Sequence, residues 1–150
     1  MTVKVYFDSS ALVKIYVTEA HSDRARREAQ TVPQLPLTWL HVLEIGNALR
    51  VLAGRKLLTA DESRALLDQF EDDRQAQRLA DVSPDWPKVF HEAVQLSRRH
   101  AEKLLCRSLD VLHVAAAVEV GCARFVSADE RQLALAKAAG LKPVDIRSGS

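Results

Sequence analysis

The sequence contains few of the residues from which covalent or metal cross-links are built. Cys106 and Cys122 are the two cysteines among 150 residues, and neither belongs to a CxxC pair. This excludes a disulfide framework and a structural zinc site. Both thiols are therefore expected to act as small buried hydrophobes.

Long apolar runs and targeting segments are missing as well. No hydrophobic stretch reaches the roughly 18 residues that a transmembrane helix needs. The first residues, MTVKVYFDSS, lack the basic stretch, the apolar region and the cleavage site of a signal peptide. We therefore expect a cytoplasmic protein with no membrane partner.

Neither basic nor acidic residues are in large excess. The formal net charge is +1, which neither demands nor excludes a nucleic-acid partner. Basic side chains gather in two places, and an acidic run lies between them. They are Arg24, Arg26 and Arg27, then Arg98, Arg99, Lys103 and Arg107, with Glu71, Asp72 and Asp73 as the acidic run. Such clusters fit a phosphate-binding track, although solvated helix faces produce them more often.

The chain does contain an alternation of short β-rich runs with longer helical patterns, and no internal repeat interrupts it. Its 150 residues, 47% of them hydrophobic, suit a single domain over residues 1–147. Residues 148–150 resemble a linker remnant or a frayed tail. The alternation predicts an α/β fold whose five parallel strands cover residues 3–7, 35–38, 79–82, 124–127 and 143–146.

Start and stop signals predict the helices between these strands. Thr59 and Glu62 form a capping box, Ser108 is expected to cap a later helix, and Gly54 is expected to end one in the left-handed conformation. Two further helices are expected to stop at glycine. The predicted helices cover residues 9–16, 21–30, 39–53, 60–78, a segment from 83 or 85 through 96, 108–120 and 130–139.

Topology predicts that two acidic residues lie together. Parallel strands joined by right-handed crossovers bind ligands beyond their carboxyl ends, where the winding reverses. With the strand order 3-2-1-4-5, the first and fourth strands are neighbours at that point. Asp8 directly follows the first strand and Asp129 lies just beyond the fourth, so both carboxylates are expected to face one crevice.

Two more acidic residues, Glu44 and Asp110, interrupt apolar helical patterns. The same-face neighbours of Glu44 are largely apolar, so its charge needs a metal, a cation or hydrogen bonds. An ion pair with Arg50 or Arg107 is the alternative. Asp110 lies in the first turn of its helix, where it can simply complement the helix dipole. The acids at the strand ends can likewise be ordinary caps. Each alternative is plausible alone, but the four acids together indicate a metal site.

The motifs around these acids resemble those of PIN-domain ribonucleases, specifically the VapC-like toxins of prokaryotic toxin-antitoxin pairs. The motifs are FDSSALVKIY with Asp8, WLHVLEIGNALR with Glu44, RSLDVLHVAAAVEVG with Asp110 and FVSADERQLALAKAAG with Asp129. They occur in the order of the family and extend to Gly140. No departure removes a core acid, so the resemblance implies an active enzyme.

The resemblance implies a three-layer fold, in which helices flank a five-stranded parallel sheet, and an acidic pocket for Mg²⁺ or Mn²⁺. Hard divalent ions prefer oxygen ligands, and Mg²⁺ keeps several of its waters. We place Asp8 and Asp110 closest to the metal. Glu44 and Asp129 would act directly, at one ion or two, or through water.

Further residues have weaker assignments. By resemblance, Ser10 and Ser127 would orient acids or water, unless they serve ordinary turns and caps. Lys14 and Arg107, followed by the neighbouring arginines 98 and 99, are candidates for phosphate contacts, with solvated surface as the alternative. His113 shares a helical face with Asp110, but we leave it out of the metal set and expect it to pack and hydrogen-bond beneath the site.

The resemblance also implies partners. RNA would be the substrate, and the toxin would form a homodimer. A VapB-like antitoxin would bind in a helical groove and offer a basic side chain to the acids. The apolar candidates for that groove, unless they are core residues, are Trp39, Leu43, Leu66, Leu67 and Phe70.

Two other functions remain as alternatives to a metal-dependent endoribonuclease. A PIN-fold binding module would act through its partner and bind no divalent ion. A phosphatase would use Asp8 as a nucleophile and form an aspartyl-phosphate. Such haloacid-dehalogenase-type sites place a second Asp two residues later, where this chain has Ser10.

Overall fold

Strands and helices alternate along the chain, as predicted. The computed structural model describes residues 4–148. Its strands are β1 (Val5–Phe7), β2 (Leu35–Leu37), β3 (Leu79–Asp81), β4 (Arg124–Ser127) and β5 (Lys142–Asp145). Its helices are α1 (Ser9–Tyr16), α2 (Ser22–Ala29), α3 (Trp39–Gly54), α4 (Ala60–Gln75), α5 (Trp86–Leu96), α6 (Glu102–Leu104), α7 (Ser108–Val120) and α8 (Glu130–Ala138). A π-helical turn, Ser97–Ala101, joins α5 to α6. The sequence predicted neither this turn nor α6. Within residues 4–148, no helix combines the length and apolar character needed to cross a membrane.

The strands pair in parallel but form two sheets, with orders β1-β4-β5 and β2-β3. Phe7 lies opposite Val126, so the first and fourth strands are neighbours as predicted. Strands β1 and β2 contact each other, yet no backbone ladder joins them in the described part of the chain. The predicted continuous ladder of five strands, 3-2-1-4-5, therefore does not hold at its 2-1 junction.

The side chain of His41 joins the two sheets at this junction. Its Nε2 donates to Phe7 O at 2.7 Å, and its Nδ1 accepts from the Thr38 backbone N at 3.0 Å. Burial lowers the pKa of His41 to about 3, so the ring stays neutral and keeps one donor and one acceptor. We call this arrangement of His41, Phe7 and Thr38 the seam.

Helices cover both faces of β1. Successive strand residues point to opposite faces, and all three residues of β1 are fully buried. Val5 and Phe7 pack on one side with residues that include Leu12, Ile45, Leu49 and Phe70. Tyr6 packs on the other side with residues that include Val89, Val114, Phe125 and Leu135. The three-layer arrangement follows, because a strand buried on both faces needs an apolar layer on each.

Most of the predicted groove residues belong to the core. Phe70 is 2% exposed, and Leu66 and Leu67 pack against the same core cluster. Trp39 and Leu43 are 66% and 69% exposed on α3. Core packing, the predicted alternative, therefore holds for Phe70 and in part for Leu66 and Leu67, and the largely exposed groove candidates are Trp39 and Leu43.

Several helix ends match the sequence signals. Thr59 N–H donates to Glu62 Oε1 at 2.9 Å, and Glu62 N–H donates to Thr59 Oγ1 at 3.0 Å, which is the predicted capping box. Gly121 and Gly140 have φ of 83° and 92°, the left-handed region expected after a helix. Asp85 caps α5 and selects the later of its two predicted starts.

Other ends differ for local reasons. Gly54 lies inside α3, and Lys56 takes the left-handed conformation with φ of 60°. Thr38 leaves β2 because its hydroxyl accepts from His41 N–H and caps α3. Ser108 was predicted to cap α7 but is its first residue. The N-cap is Arg107, whose side chain makes no capping hydrogen bond. The remaining boundaries shift by one to three residues.

Ser148, the first residue of the predicted tail, hydrogen-bonds to Asp145. The Ser148 hydroxyl donates to Asp145 O at 2.8 Å, and its backbone N–H bonds to the same oxygen. Residues 1–3, which include the predicted start of β1, and residues 149–150 lie outside the described residues.

We expect His41→Leu to destabilise the protein by about 3 kcal/mol or more. The change leaves Phe7 C=O and Thr38 N–H buried without partners, at about 1–3 kcal/mol each. The matched control is His91→Leu on the exposed face of α5, where a change within about 0.5 kcal/mol is expected. Urea denaturation followed by circular dichroism measures both. Equal losses in the two variants would contradict the role of the seam.

Candidate active site

Asp8 lies at the carboxyl end of β1 and begins α1. Its backbone N–H donates to Val126 O at 3.1 Å, which extends the pairing with β4 by one residue. Oδ1 accepts from Ala11 N–H at 2.7 Å, and Oδ2 accepts from the Ser127 hydroxyl at 2.6 Å. Asp8 is 5% exposed, and burial raises its pKa to about 6 although both hydrogen bonds oppose the shift.

Asp129 follows the neighbouring strand and begins α8. Its Oδ1 accepts the backbone N–H groups of Arg131 and Gln132 at 2.9 and 3.2 Å. Its own N–H donates to Ser127 Oγ at 2.9 Å. Ser127 therefore contacts both acids at the strand ends, since the same hydroxyl donates to Asp8.

Asp110 lies in the first turn of α7 and is half-buried. Burial raises its pKa, and the charge of Asp129 adds to the shift. Asp110 in turn contributes to the raised pKa of Asp8. The three carboxylates therefore interact electrostatically across the ends of β1 and β4. Arg107 Nε, 3.6 Å from Asp110 Oδ2, is a partial counter-charge on an 84% exposed side chain.

Glu44 reaches the site from α3. Its Oε1 accepts from the Ser9 hydroxyl at 2.9 Å and contacts Nε2 of the buried His113. Burial pushes the pKa of Glu44 upward, but the contacts with His113 and Ser9 outweigh it and leave the pKa below its usual value. Neither Arg50 nor Arg107 is its partner, so the predicted alternative of an arginine ion pair is wrong.

The supporting residues are distributed differently from the sequence prediction. Ser127 contacts Asp8, but Ser10 is exposed and its hydroxyl has no hydrogen-bond partner within residues 4–148. The serine that contacts an acid is Ser9. Lys14 forms an ion pair with Glu19 at 3.0 Å, so its charge already has a partner.

Sequence reasoning missed two buried polar residues that contact the site. Gln132 is 1% exposed, lies 3.1 Å from Ser127 Oγ through Oε1, and donates from Nε2 to Asp110 O at 3.3 Å. Its position three residues after Asp129 is the spacing of a capping box, a signal that was available. Tyr6, whose hydroxyl contacts His113, has no comparable signal in the sequence, because it lies within an apolar strand.

The donor set suits a hard divalent ion. Within residues 4–148, no three acidic, histidine or cysteine side chains converge closely enough to chelate an ion as they stand. Mg²⁺, however, commonly accepts one or two carboxylates and reaches others through water. Four carboxylate oxygens accept no hydrogen bond from the described residues, namely Glu44 Oε2, Asp129 Oδ2 and both oxygens of Asp110, one of which has Arg107 as a counter-charge. We call Asp8, Glu44, Asp110 and Asp129 the acid site.

We expect Asp8→Asn to stabilise the metal-free protein above pH 6. Between the usual pKa of about 4 and the raised value of about 6, the folded state binds a proton that the unfolded state has released. The free energy of unfolding of the parent protein therefore falls as the pH rises through this window. Asparagine stays neutral, can accept from Ala11 N–H and can donate to Ser127 Oγ.

The stability gain should reach about 3 kcal/mol at pH 8 and vanish near pH 4, since one pKa unit is worth about 1.4 kcal/mol. Urea denaturation in the presence of a chelator, at both pH values, measures it. Asp61→Asn is the matched control, because its side chain is 92% exposed on α4. A pH-independent difference between the parent and Asp8→Asn would rule out the buried charge as its cause.

Comparisons with known proteins place this chain in a family. The PIN domain family matches residues 5–139. Ribonuclease VapC46 of Mycobacterium tuberculosis is 32% identical over 139 residues, which cover 91% of this chain and 93% of the relative. Ribonuclease VapC3 of Pyrobaculum aerophilum is 28% identical over 132 residues, covering 88% and 93%.

Solved structures show the same fold. FitAcB from Neisseria gonorrhoeae superposes with a TM-score of 0.68 at 13% identity and covers 95% of this chain and 97% of its own. VapBC2 from Rickettsia felis, bound to a DNA fragment from its promoter, gives a TM-score of 0.64 at 14% identity, with 94% and 97% covered. With the match over residues 5–139, these relatives confirm the resemblance seen in the sequence, and the chain belongs to the PIN domain family.

Proposed function

We propose that the protein is a metal-dependent endoribonuclease that hydrolyses RNA phosphodiester bonds, as the toxin of a toxin-antitoxin pair. The observation that carries the proposal is a group of carboxylates around two adjacent strand ends, in which Asp8 and Glu44 are held by hydrogen bonds and have no lysine or arginine partner in residues 4–148. The contacts that hold Asp8 and Glu44 come from hydroxyl, amide and imidazole groups. Negative charge left uncompensated in this way is suited to a divalent ion.

The names of the relatives support this function. Two curated relatives that cover most of the chain are named as VapC ribonucleases. A structural neighbour is a VapBC2 assembly, which supports a VapB-like antitoxin as a partner here. The proposal extends these descriptions to this chain as a single domain over residues 1–147 that acts in the cytoplasm.

The acids have distinct tasks in the proposed reaction. A bound Mg²⁺ or Mn²⁺ would make a water more acidic for in-line attack on phosphorus and would offset charge on the phosphate oxygens. Asp8 and Asp110 would hold the ion. Glu44 Oε2 and Asp129 Oδ2 would hold it directly or through water. Ser127 keeps Asp8 oriented, and Ser10 lies exposed, where it can contact water.

Basic side chains near the acids supply the phosphate contacts. Arg107 is the stronger candidate, because it is exposed and lies beside Asp110. Lys14 is the weaker one, since it would first have to leave Glu19. Arg98 and Arg99 lie exposed on the π-helical turn, which precedes Arg107 in the chain.

Two exposed apolar surfaces suit the proposed protein partners. Trp39 and Leu43 lie on α3, the helix that also carries Glu44, so an antitoxin bound there can extend a basic side chain toward the acids. The second surface lies between α5 and α7 around a cavity of about 380 Å³, and we assign it to the homodimer. Its exposed large side chains are Phe90, Val94 and Leu109.

We expect the protein to cleave total cellular RNA with Mg²⁺ and to lose this activity with a chelator. Asp8→Asn should reduce the rate by about 100-fold or more, since loss of even a supporting contact in a metal site typically costs about 10–100-fold. Asp61→Asn should cleave at the parental rate. Parental cleavage by Asp8→Asn would overturn the proposal. A folded protein that binds no divalent ion in calorimetry would favour the binding module.

We expect a dimer in solution that Phe90→Glu converts to a monomer, because the charge would be buried without a partner in the contact. Light scattering coupled to size-exclusion chromatography measures the mass. Leu57→Glu, at a comparably exposed apolar residue after α3, should leave the dimer intact. A monomeric parent protein, or a dimer that survives Phe90→Glu, would refute this surface.

A further inference from the structure

A buried row of polar side chains ends at Glu44. Tyr6 on β1, His113 on α7 and Glu44 on α3 belong to three elements that are distant in sequence. The Tyr6 hydroxyl lies 2.7 Å from His113 Nδ1, and His113 Nε2 contacts Glu44 Oε1. Tyr6 is 0% exposed and His113 2%, so water does not compete for these hydrogen bonds.

The chemistry of the groups fixes the direction of these hydrogen bonds. An ionised carboxylate only accepts, so His113 carries a proton on Nε2 and donates it to Glu44. In a neutral imidazole Nδ1 is then the acceptor, and the Tyr6 phenol, which carries its proton at neutral pH, donates to it. One ring nitrogen therefore binds Tyr6 and the other binds Glu44, and the imidazole cannot turn over without losing both.

The contacts on Glu44 are one-sided. His113 and the Ser9 hydroxyl, the latter at 2.9 Å, both contact Oε1. Oε2 accepts no hydrogen bond from any residue between 4 and 148. The Glu44 side chain keeps 28% of its surface exposed, so Oε2 is left for water or an ion. Ligand carboxylates are commonly fixed in this way by partners behind them.

We propose that Tyr6 and His113 are positioning residues, which hold Glu44 by Oε1 and thereby present Oε2 to the reacting side of the acid site. The inference rests on the proposed function, because it takes Glu44 to be one of the functional acids. It adds two residues that do not touch RNA. Tyr6 acts through His113, and His113 acts through Glu44.

The packing around Tyr6 allows its hydroxyl to be tested alone. The Tyr6 ring stacks on Phe125 with centroids 5.5 Å apart and an interplanar angle of 13°. Tyr6→Phe keeps this stacking and removes only the donor to His113. Tyr16→Phe is the matched control, since Tyr16 is also buried but donates to Asp73 at 2.6 Å on α4.

The first measurement needs no metal. In protein with ¹⁵N-labelled histidine, we expect the parent to show a proton on Nε2 of His113 that exchanges slowly with water. Tyr6→Phe should accelerate this exchange by about tenfold, whereas Tyr16→Phe should not change it. A parent His113 protonated on Nδ1 alone, or an exchange rate unaffected by Tyr6→Phe, would overturn the inference.

The second measurement is steady-state RNA cleavage with Mg²⁺. Tyr6→Phe should lower kcat by about tenfold with little change in KM, because the hydroxyl supports Glu44 and does not bind RNA. His113→Ala should lower kcat by about 100-fold, and His113→Gln should recover part of it through an amide donor to Glu44. Tyr6→Phe should cost little more in the His113→Gln background, since the acceptor at Nδ1 has gone.

The outcomes separate this inference from the proposed function. If the parent protein cleaves no RNA, the proposed function fails, and the exchange of the His113 proton still tests the positioning of Glu44. If the parent cleaves and Tyr6→Phe lowers thermal stability while kcat stays unchanged, Tyr6 has a structural role alone and the inference fails. Parental kcat in His113→Ala would refute it as well.

Discussion

The parallel pairing of β1 with β4 is the constraint on which the acid site depends. Phe7 lies opposite Val126, and the Asp8 N–H continues the pairing by bonding to Val126 O. This register brings Asp8 within hydrogen-bond distance of Ser127, which in turn holds Asp129. If the register of β1 against β4 shifted by one residue, each side chain would turn to the opposite face, and Asp8 would lose the Ser127 hydroxyl.

The same residues serve as helix caps and as functional groups. Cap roles for Asp8 and Asp129 stood as alternatives to a metal site in the sequence, yet each acid caps a helix with Oδ1 and directs its other oxygen elsewhere. A capped carboxylate has a fixed orientation, so local folding prepares the site before any ion binds. Asp8 is destabilised in this position, because burial disfavours its ionised form and raises its pKa.

The sequence singled out the acids and two residues that support them, Ser127 and His113, but not the other contacts. Strand order alone predicts that Asp8 and Asp129 are neighbours, and an apolar helix face is enough to single out Glu44. The contact between Tyr6 and His113 joins residues 107 positions apart, and no local pattern encodes it. The seam was equally hidden, because β1 and β2 look like ordinary neighbouring strands and only the structure shows that His41 replaces their ladder.

Substitutions in the seam and in the ordinary strand pairs have unequal effects on the fold. Backbone ladders are made by groups that every residue except proline carries, so β1, β4 and β5 can change side chains without losing their connection. Between β1 and β2 the hydrogen bonds of the seam depend on one side chain, the His41 imidazole. Substitutions in the ordinary strand pairs leave the backbone hydrogen bonds in place, whereas a single substitution at His41 removes both hydrogen bonds of the seam and leaves core packing to hold the two sheets together.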